Sequence, residues 1–380
     1  MQEVVIVEGA RTPFGRAHKG SFRQTRPEDL AAAAVRAALE RAEVPGTSVQ
    51  DLALGCAMPE GQQGLNVARV VGFLAGLPAE VPAYTVNRFC ASGLQTIAGI
   101  AARIASGELE IAVAGGLESM TAVPMVGFHP QLHPKLAVEF PQVYIGMGIT
   151  AENVARRYGI SRADQDAFAA HSHAKATAAR ERGVFRAEIV PFDAEADGVR
   201  TRVEHDELIR PETTAEGLSK LKPAFDPEGC VTAGNASPLT DGAAAVVVMS
   251  RRAAGDRKVL GRFVRFSVVG VAPDVMGIGP VPAIRKLLDD TGLSVSDIDL
   301  FEINEAFASQ SVYCQRTLEI PDEKLNVNGG AIALGHPLGV SGTRLALTAL
   351  HELARRGGRR AVVSMCIGGG MGAAALLERA

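Results

Sequence analysis

The chain has no surplus of charge, no long apolar run and no paired cysteines. Its 380 residues carry 39 basic and 42 acidic side chains, a formal charge of -3. No overall field draws it to nucleic acid or an anionic membrane, and polyanion binding would need a local patch. No stretch approaches the ~20 continuous apolar residues of a membrane span. The five cysteines (Cys56, Cys90, Cys230, Cys314, Cys366) are odd in number, widely spaced and free of CxxC pairs. That pattern argues against a disulfide framework or a structural zinc site and for reduced thiols; no metal centre is expected. The opening MQEVVIVEGARTPFG lacks the basic and apolar blocks of a signal peptide, and the closing LLERA is not an SKL-type address. A soluble, cytoplasmic protein is the expectation if the source is bacterial.

What is present is an ordinary globular composition, long enough for two core-bearing domains. Strand-like runs at Val4 to Val7, Ile111 to Ala114, Ala244 to Met249 and Ala361 to Met365 alternate with Ala- and Leu-rich segments of helical period such as Glu28 to Arg41. This alternation predicts an α/β fold with helix-covered sheets. The chain also resembles itself: CASGLQTIAGIAARIASGELEIAVAGG aligns with GVSGTRLALTALHELARRGGRRAVVSM at an offset of 249 residues, placing Ser92-Gly93 on Ser341-Gly342. Two similar halves follow, an N-terminal one of residues 1–117 plus 243–264 and a C-terminal one of residues 265–380. Residues 118–242 differ in character and read as an inserted subdomain with its own helix from Arg162 to Arg182, capped at Ser161. Insertions on a rigid scaffold often cover substrate.

Cys90 in NRFCASGLQ stands just before a Ser-Gly helix start, where unpaired N–H groups and the helix dipole favour a thiolate. Taken alone it reads more readily as a buried structural cysteine, and context has to overturn that. The internal offset brings Asn87 onto His336 and Cys90 onto Gly339, so the two turns are expected to carry Cys90 and His336 on opposite sides of one cleft. Seven glycine or alanine positions in NVNGGAIALGHPLGVSG would let the imidazole approach a ligand closely. A histidine bonded only to backbone is the alternative there, and His171 and His173 read as surface residues. Cys366 ends a buried strand and opens CIGGGMG, whose N–H groups suit an oxyanion or, equally, a tight turn. Asn304, in NEAFA after the strand-like LFEI, lies where α/β sites collect, or caps a helix.

Together NRFCASG, NEAFA, NGGAIALGHPLGVSG and CIGGGMGAAALLE, in this order and spacing, closely resemble the thiolase family over the whole chain. The resemblance implies a thiolase fold: two βαβαβαββ halves packing their sheets around central helices, with an insertion covering coenzyme A. It implies Cys90 as the acyl-accepting nucleophile, His336 as its base, and Cys366 as the acid/base at the α-carbon of the acetyl unit. His336 and a water held by Asn304 would form one oxyanion site, the N–H groups of Cys90 and Gly368 the other, with Glu305 orienting these groups. It further implies Arg210 as a contact for the nucleotide phosphates of coenzyme A, Ser237 as a pantetheine contact, and Met147, Phe225, Ala233, Met276, Ala306 and Phe307 lining the channel. Coenzyme A is then a co-substrate, and no tightly bound cofactor is expected. A homodimer or homotetramer, with a β-oxidation multienzyme partner as an option, completes the expectation.

Biosynthetic acetoacetyl-CoA thiolases commonly carry a His directly before the Met-Gly of the insertion, where YIGMGITAEN presents Gly146. This departure, with NRFCASGLQ and CAMPEGQQGLNVARVVGFLAGLP, resembles the degradative 3-ketoacyl-CoA thiolases. Acetyl-CoA C-acyltransferase activity in β-oxidation is therefore expected, ahead of acetyl-CoA acetyltransferase activity. A ketoacyl-ACP synthase would lack a cysteine acid such as Cys366, and a non-catalytic lipid carrier would not need Cys90, His336, Asn304 and Cys366 together.

Overall fold

The structure is a computed structural model and describes residues 2–380. Its strands are β1 (Val4–Arg11), β2 (Gly15–Arg16), β3 (Leu52–Gly55), β4 (Ala83–Val86), β5 (Ile111–Ser119), β6 (Phe192–Ala196), β7 (Val199–Val203), β8 (Thr240–Ser250), β9 (Gly261–Gly270), β10 (Leu300–Ile303), β11 (Arg360–Ile367) and β12 (Met371–Arg379). One half orders its strands β4-β3-β5-β8-β1 and the other β9-β12-β11-β10. The two sheets are not separate, because β1 and β9 pair at Val5↔Arg262 and Ile6↔Gly261 and join them edge to edge. The expected border at 264/265 falls inside β9, which pairs with β12 from Gly261 to Gly270.

The strands read as continuous apolar runs because both faces are covered. Side chains of a strand alternate between faces, and here the alternation separates two cores. In β8, Ala245, Val247 and Met249 pack under the helices Pro27–Arg41 and Val67–Leu74. Val246 and Val248 turn inward to the helices Ser92–Ala105 and Ser341–Arg356. The same split divides β11: Ala361, Val363 and Met365 face the central helices, while Val362 faces an outer layer built from Pro280–Thr291 and Ala308–Leu318. Each fully buried Val or Leu of these cores contributes about 1.5–3 kcal/mol. The central pair is thus a helical layer shared by both halves.

Between β5 and β8 the chain leaves the sheet. The helix Arg162–Glu181 starts at Ser161, which forms a capping box with Asp164 as its sequence announces. It buries Gln165, Ala169, Ser172, Ala176 and Ala179, one face at helical period, against Ala308, Ile332, Ala333 and Leu334 of the C-terminal half. Buried Arg11 at the end of β1 ties the insertion to the scaffold by ion pairs to Glu188 (3.1 Å) and Asp206 (2.7 Å). His173 is a correction to the surface reading: it lies on the packed face and is almost fully buried, whereas His171 is exposed. Among the described residues no helix is long and apolar enough to cross a membrane.

Candidate active site

The site lies where the two central helices begin. A Cβ placed on Gly93 would sit 2.6 Å from Thr343 Oγ1 and 2.7 Å from Gly339 O, and one on Gly342 would sit 2.6 Å from Leu94 Cβ. No side chain fits at those separations. The Ser-Gly pairs of the internal repeat therefore let the two helix starts touch, and the turns before them, with Cys90 and with His336, meet at one place.

Cys90 occupies a 3-10 turn, Phe89–Ala91, leading into the Ser92–Ala105 helix. Phe89 takes a left-handed φ of 43°, a conformation costly to a non-glycine residue. The turn is held by Phe89 N–H to Asn87 Oδ1 (2.8 Å), Arg88 N–H to Ser92 Oγ (2.9 Å) and Ser92 O–H to Phe89 O (2.6 Å). The helix start does not make Cys90 a standing thiolate, as its position suggested. Burial pushes the thiol up to about 11, against the opposing pull of the N–H groups of Gly368 and of Cys90 itself. Desolvation outweighs the dipole, so the sulfur needs a base.

His336 is buried, with its backbone N–H donated to Thr240 Oγ1 (3.1 Å), Nδ1 2.5 Å from Ser341 Oγ and Nε2 3.2 Å from Asn304 Nδ2. Burial, reinforced by the Arg344 charge, pushes its pKa down to about 3 and keeps the ring neutral. Asn304 follows β10 and is fixed by its own N–H to Ser364 O (2.9 Å). It does not cap the next helix, whose N-cap is Phe307. Its buried Oδ1 has no partner among the described residues. Cys366 is the penultimate residue of β11 and fully buried. Its pKa is raised well above the usual thiol value, first by burial and then by the neighbouring Cys90 sulfur. The Cys90 sulfur thus has the Cys366 sulfur and the Gly368 N–H as neighbours, and the His336 ring has the Asn304 amide and the Ser341 hydroxyl.

Sequence models of two domains match this chain, "Thiolase, N-terminal domain" over residues 4–252 and "Thiolase, C-terminal domain" over residues 257–379. The chain belongs to the thiolase family. It is 52% identical over 389 residues to the 3-ketoacyl-CoA thiolase of Bacillus subtilis (strain 168), covering 100% of both chains. It is 50% identical to the peroxisomal 3-ketoacyl-CoA thiolase B of Mus musculus over 99% of this chain and 91% of that protein. The crystal structure of the Bacillus anthracis acetyl-CoA acetyltransferase superposes with a TM-score of 0.93 at 40% identity, covering 100% of this chain and 99% of that one.

In this thiolase, Met147, Met276, Ala306 and Phe307 cluster with Cys366. Phe225 joins them edge-on to Phe307, 6.0 Å between ring centroids, and lies against Gly148. Ser237 is pinned to the same strip, its N–H and its hydroxyl both donating to Ala306 O at 3.0 Å. Gly368 lies between Met147 and Phe89, 3.5 Å and 3.8 Å from its would-be Cβ. Ala233 is exposed beyond this cluster. Arg210 is also outside it, on the insertion, where its N–H donates to His173 Nδ1 (3.2 Å) and its guanidinium stands 3.1 Å from His173 Nε2. Burial, with the Arg210 charge, pushes His173 down to about 4. No carboxylate pairs with Arg210 among the described residues. Glu305 accepts from Ser172 Oγ (2.7 Å), Asn326 Nδ2 (2.9 Å) and Ile332 N–H (3.2 Å), fastening the insertion helix to the NGGAIAL segment, and Asn326 in turn bonds the backbone of Ile303, next to Asn304.

Sequence reasoning missed Glu118. This buried carboxylate accepts N–H bonds from Ala57 (2.8 Å) and Met58 (3.2 Å) of one half and Gly339 (2.8 Å) of the other, plus Gln63 Nε2 (3.0 Å). Ala57 O in turn accepts from Asn87 Nδ2 (3.0 Å), so one side chain fixes the turns of both Cys90 and His336. Burial pushes its pKa up, and the four donors oppose the shift. The available signal was an acid closing the apolar run IAVAGGLES, where only a fully hydrogen-bonded carboxylate is tolerated.

Proposed function

We propose that this chain catalyses thiolytic cleavage of 3-ketoacyl-CoA, the acetyl-CoA C-acyltransferase reaction of fatty acid β-oxidation, through an acyl thioester on Cys90. The observation that supports the reading best is the contact between the two helix starts, which brings the turns of Cys90 and His336 together, with the buried Cys366 thiol next to the Cys90 sulfur. His336 Nε2 takes the Cys90 proton and the sulfur adds to the 3-keto carbon. The C2–C3 bond breaks, its electron pair leaving as the enolate of acetyl-CoA, and Cys366 supplies the proton to C2. A second coenzyme A then gives its thiol proton to the Cys366 sulfur and attacks the acyl group. Cys90 leaves as a thiolate and recovers its proton from His336. Covalent capture divides one hard transfer into two easier ones.

The electrostatics support this assignment. An imidazolium at His336 is disfavoured by burial, so it is stabilised most when an anion forms beside it, as the enolate oxygen does. The free Asn304 Oδ1 suits a bound water, and the N–H groups of Gly368 and Cys90 at the Cys90 sulfur suit the oxyanion of the tetrahedral adduct. The apolar strip from Met147 to Phe307 suits the pantetheine arm, with Ser237 at its side. Arg210, free of any carboxylate, suits a nucleotide phosphate.

Three of the relatives named 3-ketoacyl-CoA thiolase share 48–52% identity with the chain, against 40% for the acetyl-CoA acetyltransferase structure. Gly146, where biosynthetic relatives commonly carry a His, is exposed, and a Cβ there would meet nothing within 4 Å. Thiolysis of acetoacetyl-CoA compared with a C8 3-ketoacyl-CoA tests the subtype: comparable or better use of the longer chain is expected, and exclusive use of the C4 substrate favours the acetyltransferase reading. We further propose a homo-oligomer in a reducing cytoplasm, without a tightly bound cofactor. The half-exposed edge strand β4 beside exposed Val70, Phe73 and Leu74 supports the first, and five unbonded cysteines support the second. Sedimentation of the purified chain reads the oligomer.

A further inference from the structure

We propose that Ser341 is a positioning residue that fixes the tautomer of His336, holding the ring proton on Nδ1 so that Nε2 keeps the lone pair able to accept a proton. The inference rests on the reading of His336 as the base and adds to it the group that prepares that base.

Ser341 is the first residue of the helix Ser341–Arg356 and is fully buried. A hydroxyl has one hydrogen and two acceptor sites. The hydrogen of Ser341 has an acceptor in Pro337 O, which Oγ meets at 3.0 Å and which also accepts the N–H groups of Val340 (3.0 Å) and Ser341 (3.1 Å). Its lone pairs then face His336 Nδ1 at 2.5 Å, a contact that is favourable only if Nδ1 carries a proton. The ring is neutral, so Nε2 carries none. The far side of the imidazole agrees with this assignment. Nε2 lies 3.2 Å from Asn304 Nδ2, an amide nitrogen with hydrogens to give and none to receive. The chain Asn304 N–H to Nε2, Nδ1–H to Ser341 Oγ, and Ser341 O–H to Pro337 O runs in one direction with no donor facing a donor. Reversing it would aim the Ser341 hydrogen at Nδ1 and require the Asn304 amide to turn over, leaving its two buried N–H groups without acceptors.

A hydroxyl in this place also does something a carboxylate would not. It orients the ring without a negative charge, so it does not stabilise a standing imidazolium, and the proton taken from Cys90 is held only while an anion lies beside Nε2. When Nε2 is protonated, Nδ1–H keeps the same partner, and only the Asn304 amide has to release its bond to Nε2.

The test is the nitrogen spectrum of the full-length protein with isotopically labelled histidine, the His336 signals identified by their loss in His336→Asn. In the parent protein Nδ1 is expected to be protonated and Nε2 bare. In Ser341→Ala, which removes one oxygen and overpacks nothing, this preference is expected to be lost. In the same variant kcat for thiolysis falls about tenfold to a hundredfold, less than the roughly hundred- to ten-thousandfold that a general base contributes, with KM little changed. Ser341→Thr, which keeps the hydroxyl, restores both tautomer and rate relative to alanine. A parent ring protonated on Nε2, or a Ser341→Ala protein with parental tautomer and kcat, overturns the assignment. The spectrum reports the tautomer independently of turnover, so failure of the thiolase chemistry itself would be visible separately in the Cys90→Ala rate.

Discussion

The turn that carries Cys90 and the turn that carries His336 occupy equivalent places in the two halves, yet they are held by different means. The Cys90 turn is closed mainly by its own residues: Asn87 and Ser92 bond the backbone of residues 88 and 89, Phe89 accepts a left-handed conformation, and Glu118 reaches the turn only through Ala57 and Asn87. The His336 turn is held from outside, by Thr240 on its first N–H and by Glu118 on that of Gly339. The paired serines diverge in the same way. Ser92 bonds only backbone, whereas Ser341, its counterpart at the 249-residue offset, also meets an imidazole. Duplication supplied two like helix starts in contact, and the chemistry lies in the side chains that each turn carries and in what leaves them fixed.

The sharpest break in that comparison is Cys90→Ala. It should lower thiolysis by at least about ten-thousandfold, as loss of a covalent nucleophile does, while leaving the thermal unfolding transition in place. Cys366→Ala should come next. It is expected to spare acylation of Cys90 by simple thioesters and to slow deuterium exchange into the methyl group of acetyl-CoA by roughly a hundredfold or more; exchange at the parental rate would remove Cys366 from the C2 proton. Glu118→Gln strikes the one group shared by both turns. Its amide would face N–H donors at one of the two oxygen positions, so about 2–4 kcal/mol of stability should be lost, together with activity, as read by denaturant unfolding. Gly93→Ala and Gly342→Ala should each cost about 1–3 kcal/mol by forcing the helix starts apart, and should depress kcat in parallel.

The smallest effects are those of pH. The Cys90 thiol is raised to about 11, so its alkylation by iodoacetamide should keep accelerating well past the ordinary thiol range instead of levelling there. His336 and His173 titrate near 3 and 4 in the folded state against 6.5 for an ordinary histidine. The folded form binds fewer protons than the unfolded one across that window, so their contribution to stability is complete above about pH 6.5 and is lost as pH falls towards 3. Acid titrations of the parent and of His173→Gln should separate the two contributions.

Much of the frame was readable because the physics is local. The strand runs from Val4, Ile111, Ala244 and Ala361 are apolar on both faces, and the Ser161 cap and the repeated Ser-Gly pairs mark helix starts. Cys90, His336, Asn304 and Cys366 were legible because each stands at the end of such an element. What escaped depends on distant partners. His173 is polar yet buried because Arg210, 37 residues on, donates its backbone N–H to Nδ1 and brings its guanidinium to the other edge of the ring. Glu118 needed donors from both halves before its burial made sense. The hairpin of β6 and β7 was announced by the Asp197-Gly198 turn, both residues at positive φ. It lies in an acidic stretch of the insertion, where the short alternating runs FDAEA and VRTRV hold too few large apolar side chains to stand out as strands.

The shared helical layer has a consequence for how the protein is made. Neither half owns its inner wall: the core formed by Leu94, Ile97 and Ile100 on one side and Leu345, Leu347 and Leu350 on the other is a single body. A nascent N-terminal half leaving the ribosome alone would show one bare apolar flank until its twin arrives, which makes the duplicated gene product one folding unit instead of two beads on a string.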